Sequence, residues 1–327
     1  MSACVMGWYG RANCGDDAFV DAFSELFPRA SFRFYEPSSG LLALRQGERL
    51  ILGGGDVVKD YYLRRIEPSE PLWLVGCGLG YESEAEKLLQ FNVKGAVLRN
   101  PSDARILSEL GVRAVYAPDI CFAIKPIDVP QRQNGARKKL GVVLSGHPAS
   151  GIEQPSIREA SYFEYFQWEL ASTLDELAEY FEIHWISFSA DPDAWDESPN
   201  YAVRRKMSKR GGQTFWRYHA SEPMRQMRLV ASMDVVFTMK FHGAIFATMC
   251  GVPFVSIGLT RKLEEYCKQS DIEGVLVPPY AFTKRAALQA LKCAEQPEMP
   301  HLLRTLAARN CGLVRAAVTD VGLAAEL

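Results

Sequence analysis

Residues 236–257 read VFTMKFHGAIFATMCGVPFVSI, and how that stretch divides decides the fold. Its opening, together with Val235, is short, apolar, β-branched and aromatic, the composition of a strand buried on both faces. From Phe241 onward Ala244, Ile245 and Met249 recur at helical spacing, and Gly251-Val252-Pro253 stops the pattern. A buried strand running straight into a helix, then into a second apolar run (VPFVSIG), is the repeating unit of a parallel α/β sheet. Lys240 stands at the junction and His242 in the first turn of the helix.

Working outward, the same alternation fills the chain. ACVMGW, ASFRFY, RLILGGG, PLWLVGCG, GAVLRN and RAVYAPD read as strands in the first third, and LGVVLSG, EIHWISFS, MDVVFTM, VPFVSIG and GVLVPP later. Between them DDAFVDAFSELF repeats Ala18, Phe19, Ala22, Phe23, Leu26 and Phe27 with helical period, and PSDARILSELG opens on Pro101 and stops on Gly111. KPIDVPQRQNGARKK (125–139) is proline-bearing, polar and aperiodic, and reads as a linker. The expected architecture is two doubly wound, Rossmann-like α/β domains with an interdomain cleft. They span residues 1–124 and 140–327 around a linker at 125–139, consistent with a length of 327 residues. Residues 190–222 read as one long irregular segment rich in charges and aromatics, including Trp195, Tyr201, Trp216, Tyr218 and His219. It suits a lid or sugar platform, or a solvated loop, with His219 a reserve proton donor.

Ligands of such sheets sit at the carboxyl ends of strands, so the residues found there carry the functional reading. The first-turn N–H groups of a helix lack partners and favour anions. A lysine adds full positive charge, and histidine is the side chain that moves protons near neutrality. Lys240 and His242 therefore read either as a site for phosphate or carboxylate with a proton to deliver, or as a packed junction with a snorkelling lysine. In the first domain three strand ends are glycine-rich: Gly7, Gly10 and Gly15; Gly53, Gly54 and Gly55; Gly76, Gly78 and Gly80. Bare backbone there approaches a ligand or the facing domain. GWYGRANCGDD reads as a phosphate turn or a tight turn capped by Asn13 or Asp16; Asp16 and Asp17 oppose an anion at that place.

Composition excludes several classes. A formal net charge of −2 provides no basic field for nucleic acid. No apolar run reaches the length of a membrane span, and no leader pattern opens the sequence, so a cytoplasmic protein is expected. The eight cysteines form no C-x-x-C pair and no zinc-ligand spacing, and read as small core residues in a reducing compartment.

Taken in order, NCGDDAF (13–19), LGGGDVVKD (52–60), GCGLG (76–80), LRNPSDARILSELGV (98–112), KFHGAIFATMCGVPFVSI (240–257) and TRKLEEY (260–266) resemble the polysaccharide pyruvyl transferase family. The resemblance implies a glycosyltransferase-B-like fold. It also implies transfer of the enolpyruvyl group of phosphoenolpyruvate to two hydroxyls of a sugar or glycan acceptor, free or carrier-linked, as a cyclic ketal with loss of phosphate. No metal or organic cofactor is part of that outline. By this resemblance His242 is the acid and Lys240 binds the donor. Lys262, at the next strand end, and Arg99, from the opposing domain, are placed to add charge on the donor. By analogy with two-domain transferases, Asn13, Asp16, Gly53, Gly54, Gly55 and Gly78 form the acceptor rim. The first domain is then the acceptor side and the second the donor side. Lys240 stands where the family carries arginine, and Asn100 where it carries aspartate. A lysine cannot supply arginine's bidentate fork. A nucleotide-sugar glycosyltransferase, with a glutamate such as Glu264 or Glu265 on the ribose, and a non-catalytic carbohydrate-binding relative are the alternatives.

Overall fold

Alternating buried strands and amphipathic helices produce two wholly parallel six-stranded sheets, one in each of two units. They are described from a computed structural model, which covers all residues except 36–41, 80–81, 128–134, 147–156, 192–194, 220–221, 259 and 279–280.

The first sheet holds β1 (Ser2–Met6), β2 (Ser31–Tyr35), β3 (Glu48–Gly55), β4 (Pro71–Cys77), β5 (Asn92–Leu98) and β6 (Ala114–Tyr116), in spatial order β2-β1-β3-β4-β5-β6. The chain leaves β1 for β2 and then crosses back to β3, so the winding reverses between β1 and β3. The central strands are continuous apolar runs because helices cover both faces. On one face Leu50, Leu52, Leu72, Leu74 and Leu98 pack with Leu63, Leu88 and Leu107. On the other, the helix Cys14–Leu26 buries Ala18, Phe19, Ala22 and Phe23 completely. Each such phenylalanine stabilises the unit by roughly 1.5–3 kcal/mol. Register sets Gly55 opposite Cys77 and Cys77 opposite Leu98, which brings Gly55, Gly78 and Arg99 to one carboxyl edge.

The second sheet holds β7 (Lys138–Val143), β8 (Phe181–Ile186), β9 (Gln213–Trp216), β10 (Val235–Thr238), β11 (Phe254–Ile257) and β12 (Leu276–Val277), in the order β12-β11-β10-β7-β8-β9. The chain winds outward from β7 to β9, returns to β10 beside β7, and continues to β12. This is a doubly wound sheet whose reversal lies between β7 and β10. The strand read from VVFT is thus the one at the reversal point.

Three features differ from the sequence reading. Residues 307–327 were expected in the second domain, yet they group with the first sheet. Gly95 in β5 accounts for the seat: a Cβ there would stand 2.8 Å from Val321. An apolar helical pattern does not encode which sheet it covers. The expected linker 125–139 falls partly on 128–134, outside the described residues, and its last two residues, Lys138 and Lys139, open β7. The segment 190–222 is not one long loop, since it contains the helix Glu197–Lys206 and the edge strand β9. That helix buries Glu197, Pro199 and Asn200 beside Val203, so its inner face carries no apolar period. Its neighbouring aromatics are engaged in packing: Tyr201 stacks on Phe215 with centroids 4.8 Å apart, Tyr218 is buried, and Trp216 donates through Nε1 to His184 Nδ1 at 3.0 Å. Trp195 and His219 are exposed.

All eight cysteines are free, and six are buried. Burial pushes the Cys4 thiol up to about 11 and the Cys77 thiol to about 12, so both are core residues rather than nucleophiles. Among the described residues no helix is long and apolar enough to cross a membrane.

Candidate active site

The strand–helix junction after β10 is built by Thr238. Its hydroxyl donates to the Lys240 carbonyl at 2.9 Å and accepts from the Lys240 N–H at 3.1 Å, turning the chain sharply at the strand end. Lys240 has extended backbone as the N-cap of the helix Phe241–Cys250, and Gly251 closes that helix in the left-handed conformation at φ 66°. Every residue of the helix but His242 is buried. The half-buried imidazole packs edge-on to Phe241, centroids 5.4 Å apart, and tilted against Phe246 at 6.4 Å. Gly243 follows because nothing larger fits: a Cβ would stand 2.2 Å from Thr238 Oγ1. Gly243→Ala is therefore expected to cost about 1–3 kcal/mol of stability and to lower turnover by displacing His242. Thermal denaturation and a turnover assay on the same preparation check both.

Lys240 is engaged. Its Nζ lies 2.8 Å from Asp196 Oδ1. Asp196 is fully buried, and its other oxygen accepts from the N–H groups of Phe188 at 2.9 Å and Ser189 at 2.8 Å, just beyond β8. Burial pushes the Asp196 carboxyl above the ordinary carboxylate range, and Lys240 and the two N–H groups offset part of that shift. Asp196 thus ties the carboxyl ends of β8 and β10 together across β7. Sequence reasoning missed it. The one available signal was its place immediately before the helix Glu197–Lys206, where aspartate ordinarily caps, yet its side chain makes no cap hydrogen bond and serves Lys240 instead.

Asn13 was assigned to the first domain's rim, but residues 12–14 belong to the second unit. Asn13 bridges to Ser189, and the Cys14 N–H donates to the Phe188 carbonyl at 2.8 Å. Asn13 therefore stands at the same strand end that holds Asp196. Lys262, in the helix Arg261–Gln269, sets its ammonium 5.9 Å from the Phe241 ring centroid. The ring contacts His242 on one side and Tyr266 on another, at 6.0 Å. The structure thus places Lys240, His242, Lys262 and Asn13 on one carboxyl edge of the second sheet.

The first unit has its own edge. Arg99, after β5, is 6% exposed and forms a close ion pair with Asp56, with Asp119 Oδ2 3.9 Å from its other amino group. Burial works against its charge, and the two carboxylates more than compensate, so its pKa stands above that of an ordinary arginine. Gly78 leaves room for the pair: a Cβ there would stand 2.9 Å from Asp56 and 3.0 Å from Arg99 Nε. Gly53 and Gly54 meet helix side chains rather than open space. Gly54, at φ +72°, would bring a Cβ within 2.1 Å of Phe19, and Gly53 within 2.7 Å of Phe23. Gly55 faces Asp16, whose carboxylate would lie 3.0 Å from a Cβ. Asp17 is taken by the Gly10 N–H at 2.9 Å. This edge is acidic, with one arginine neutralised inside it.

The sequence profile of polysaccharide pyruvyl transferases matches residues 12–260. The chain belongs to the polysaccharide pyruvyl transferase family. It is accordingly a transferase. The matched span includes Asn13, Arg99, Asp196, Lys240 and His242, and ends just before Lys262. No curated protein is significantly similar in sequence. Among solved structures, the chain is similar to MnaA of S. aureus in its co-structure with UDP, at 10% identity and a TM-score of 0.60, covering 97% of this chain and 95% of that one. The UDP-GlcNAc 2-epimerase of Methanocaldococcus jannaschii, in complex with UDP-GlcNAc and UDP, gives 8% identity and a TM-score of 0.58 over 94% and 99%. A UDP-N-acetylglucosamine 2-epimerase assignment from Listeria monocytogenes gives 10% identity and a TM-score of 0.56 over 94% of each chain. At such identities the likeness carries the fold alone, a glycosyltransferase-B-like architecture with two parallel sheets. In this family member the arginine expected at the start of the site helix is replaced by a lysine whose charge is matched by Asp196.

Proposed function

We propose that this pyruvyl transferase family member moves the enolpyruvyl group of phosphoenolpyruvate onto two hydroxyls of a sugar in a polysaccharide or its precursor. A cyclic ketal forms and phosphate leaves. The observation that carries the reading is the imidazole of His242, half-buried in the first turn of a helix at the reversal point of a doubly wound sheet, within the span the family matches.

The chemistry asks for an acid at the donor's methylene carbon and for cations on its two anionic groups. His242 gives its proton to the methylene, which becomes a methyl, and the adjoining carbon becomes electron-deficient. A sugar hydroxyl attacks that carbon and returns a proton to His242. A second hydroxyl then displaces phosphate, which departs with the second proton. Lys262 and the first-turn N–H groups of the helix Phe241–Cys250 hold the donor's charge. Lys240, matched by Asp196, fixes the strand ends around them and adds a weaker share. Arg99 keeps its charge within the acidic edge of the first unit, where Asp16, Gly55 and Gly78 face a neutral, hydroxyl-bearing acceptor. The outline uses no metal or organic cofactor, and a cytoplasmic donor pool suits a chain whose cysteines are all unpaired.

One observation favours a second reading, transfer from a nucleotide-sugar. At Gly258, after β11, a Cβ would stand 3.2–3.4 Å from Glu264, so a carboxylate does stand at a strand end, and two of the structural neighbours hold UDP. Thermal-shift titration separates the two: phosphoenolpyruvate is expected to raise the melting temperature while UDP-sugars leave it unchanged, and the reverse pattern selects the nucleotide-sugar reading. Glycan binding without phosphate release from phosphoenolpyruvate would mark a non-catalytic relative.

A further inference from the structure

The first unit carries a second candidate site at the opposite edge of its sheet, where the strands begin. A cavity of roughly 370 Å³ opens there between the starts of β3, β4 and β5 and the returning C-terminal turn. Arg49 comes from the start of β3, Trp73 from β4, Lys94 from β5, and Arg113 from the approach to β6; Gly322 and Glu326 close the other side.

Charge marks this cavity. The chain as a whole is slightly acidic, yet three cations converge here around one carboxylate. That carboxylate, Glu326, is already bound to Arg49 at 2.9 Å. Among the described residues Lys94 and Arg113 have no acidic partner. Like charges gathered around a concave space repel one another, and an anion in that space removes the cost. Gly322, at φ +80°, makes the left-handed turn that brings the C-terminal residues to this edge, with its Cβ position 3.7 Å from the Arg113 guanidinium. Trp73 and Val321, both nearly fully buried, complete the lining. Its volume lies within the range of small-molecule sites and exceeds what a bare ion needs.

We propose that this cavity binds a phosphate-bearing small molecule, with Lys94 and Arg113 on the phosphate and the organic part against Trp73. Arginine supplies a planar fork for phosphate and lysine a point charge. The site shares no residue with the strand carboxyl edges, so it neither depends on the donor chemistry proposed above nor tests it.

Isothermal titration of the full chain with glucose 6-phosphate and with glucose provides the test. Glucose 6-phosphate should bind saturably and glucose should not. Lys94→Ala/Arg113→Ala, both at exposed positions, should weaken that binding about tenfold or more, because two charge-assisted contacts are lost. His242→Ala/Lys262→Ala should leave this binding in place, which separates it from anion capture at the other unit. Undiminished affinity in the Lys94/Arg113 double variant overturns the proposal. So does equal binding of glucose, or no binding of glucose 6-phosphate below about 10 mM, where affinity falls under roughly 3 kcal/mol.

Discussion

His242→Ala should lower phosphate release from phosphoenolpyruvate, measured with a glycan acceptor present, by about 10²–10⁴-fold, the share a positioned general acid supplies. The loss should fall on kcat, because the imidazole acts on the methylene carbon in the transition state rather than on the donor's anionic groups. The fold should survive, since His242 is the residue of its helix not buried in the core. His242→Gln, which keeps polarity and approximate volume but cannot transfer a proton, should be nearly as impaired as alanine. Turnover within about threefold of wild type for both variants would remove His242 from the mechanism.

Asp196→Ala is expected to be the most destabilising single change at the site. It strips the carboxylate from a fully buried position, leaving the Lys240 ammonium, with a side chain 19% exposed, and the N–H groups of Phe188 and Ser189 without their acceptor. Breaking a buried pair from one side costs about 3–5 kcal/mol, because the remaining charge keeps its desolvation penalty. Asp196→Asn retains an oxygen for the two N–H groups and should lose distinctly less. Thermal denaturation ranks the three proteins. An alanine variant as stable as wild type would mean that the pair does not hold β8 and β10 together.

Much of this arrangement is legible in the residues themselves. Eleven of the strands announce themselves as apolar runs ended by glycine or a polar residue, and VVFTMKFHG by itself places a lysine and a histidine at a strand end. What escaped has a common physical cause. Asp196 is one acid among several in DPDAWDES, and only the tertiary placement of β8 against β10 makes it the buried one. The helix Glu197–Lys206 hides behind polar residues that face inward, so its period cannot be seen in hydrophobicity. Asn13 lies a few residues after β1 but belongs to the second unit, a crossing no local pattern encodes. The glycines of LGGG were legible as special but not as to why: Gly53 and Gly54 serve Phe23 and Phe19 of the covering helix. In sequence Arg99 looks like an available cation, because the carboxylates that hold it come from strand ends 43 and 20 residues away along the chain.

The central claim is that a proton is delivered to the methylene carbon of phosphoenolpyruvate as its enolpyruvyl group joins a sugar. Mass spectrometry of the acceptor after reaction in deuterated water measures this directly. The account predicts an acceptor heavier by pyruvate less water, with one deuterium in the new methyl group and one phosphate released for each group transferred. An acceptor that gains a hexose from a UDP-sugar, or one left unmodified by phosphoenolpyruvate, contradicts it.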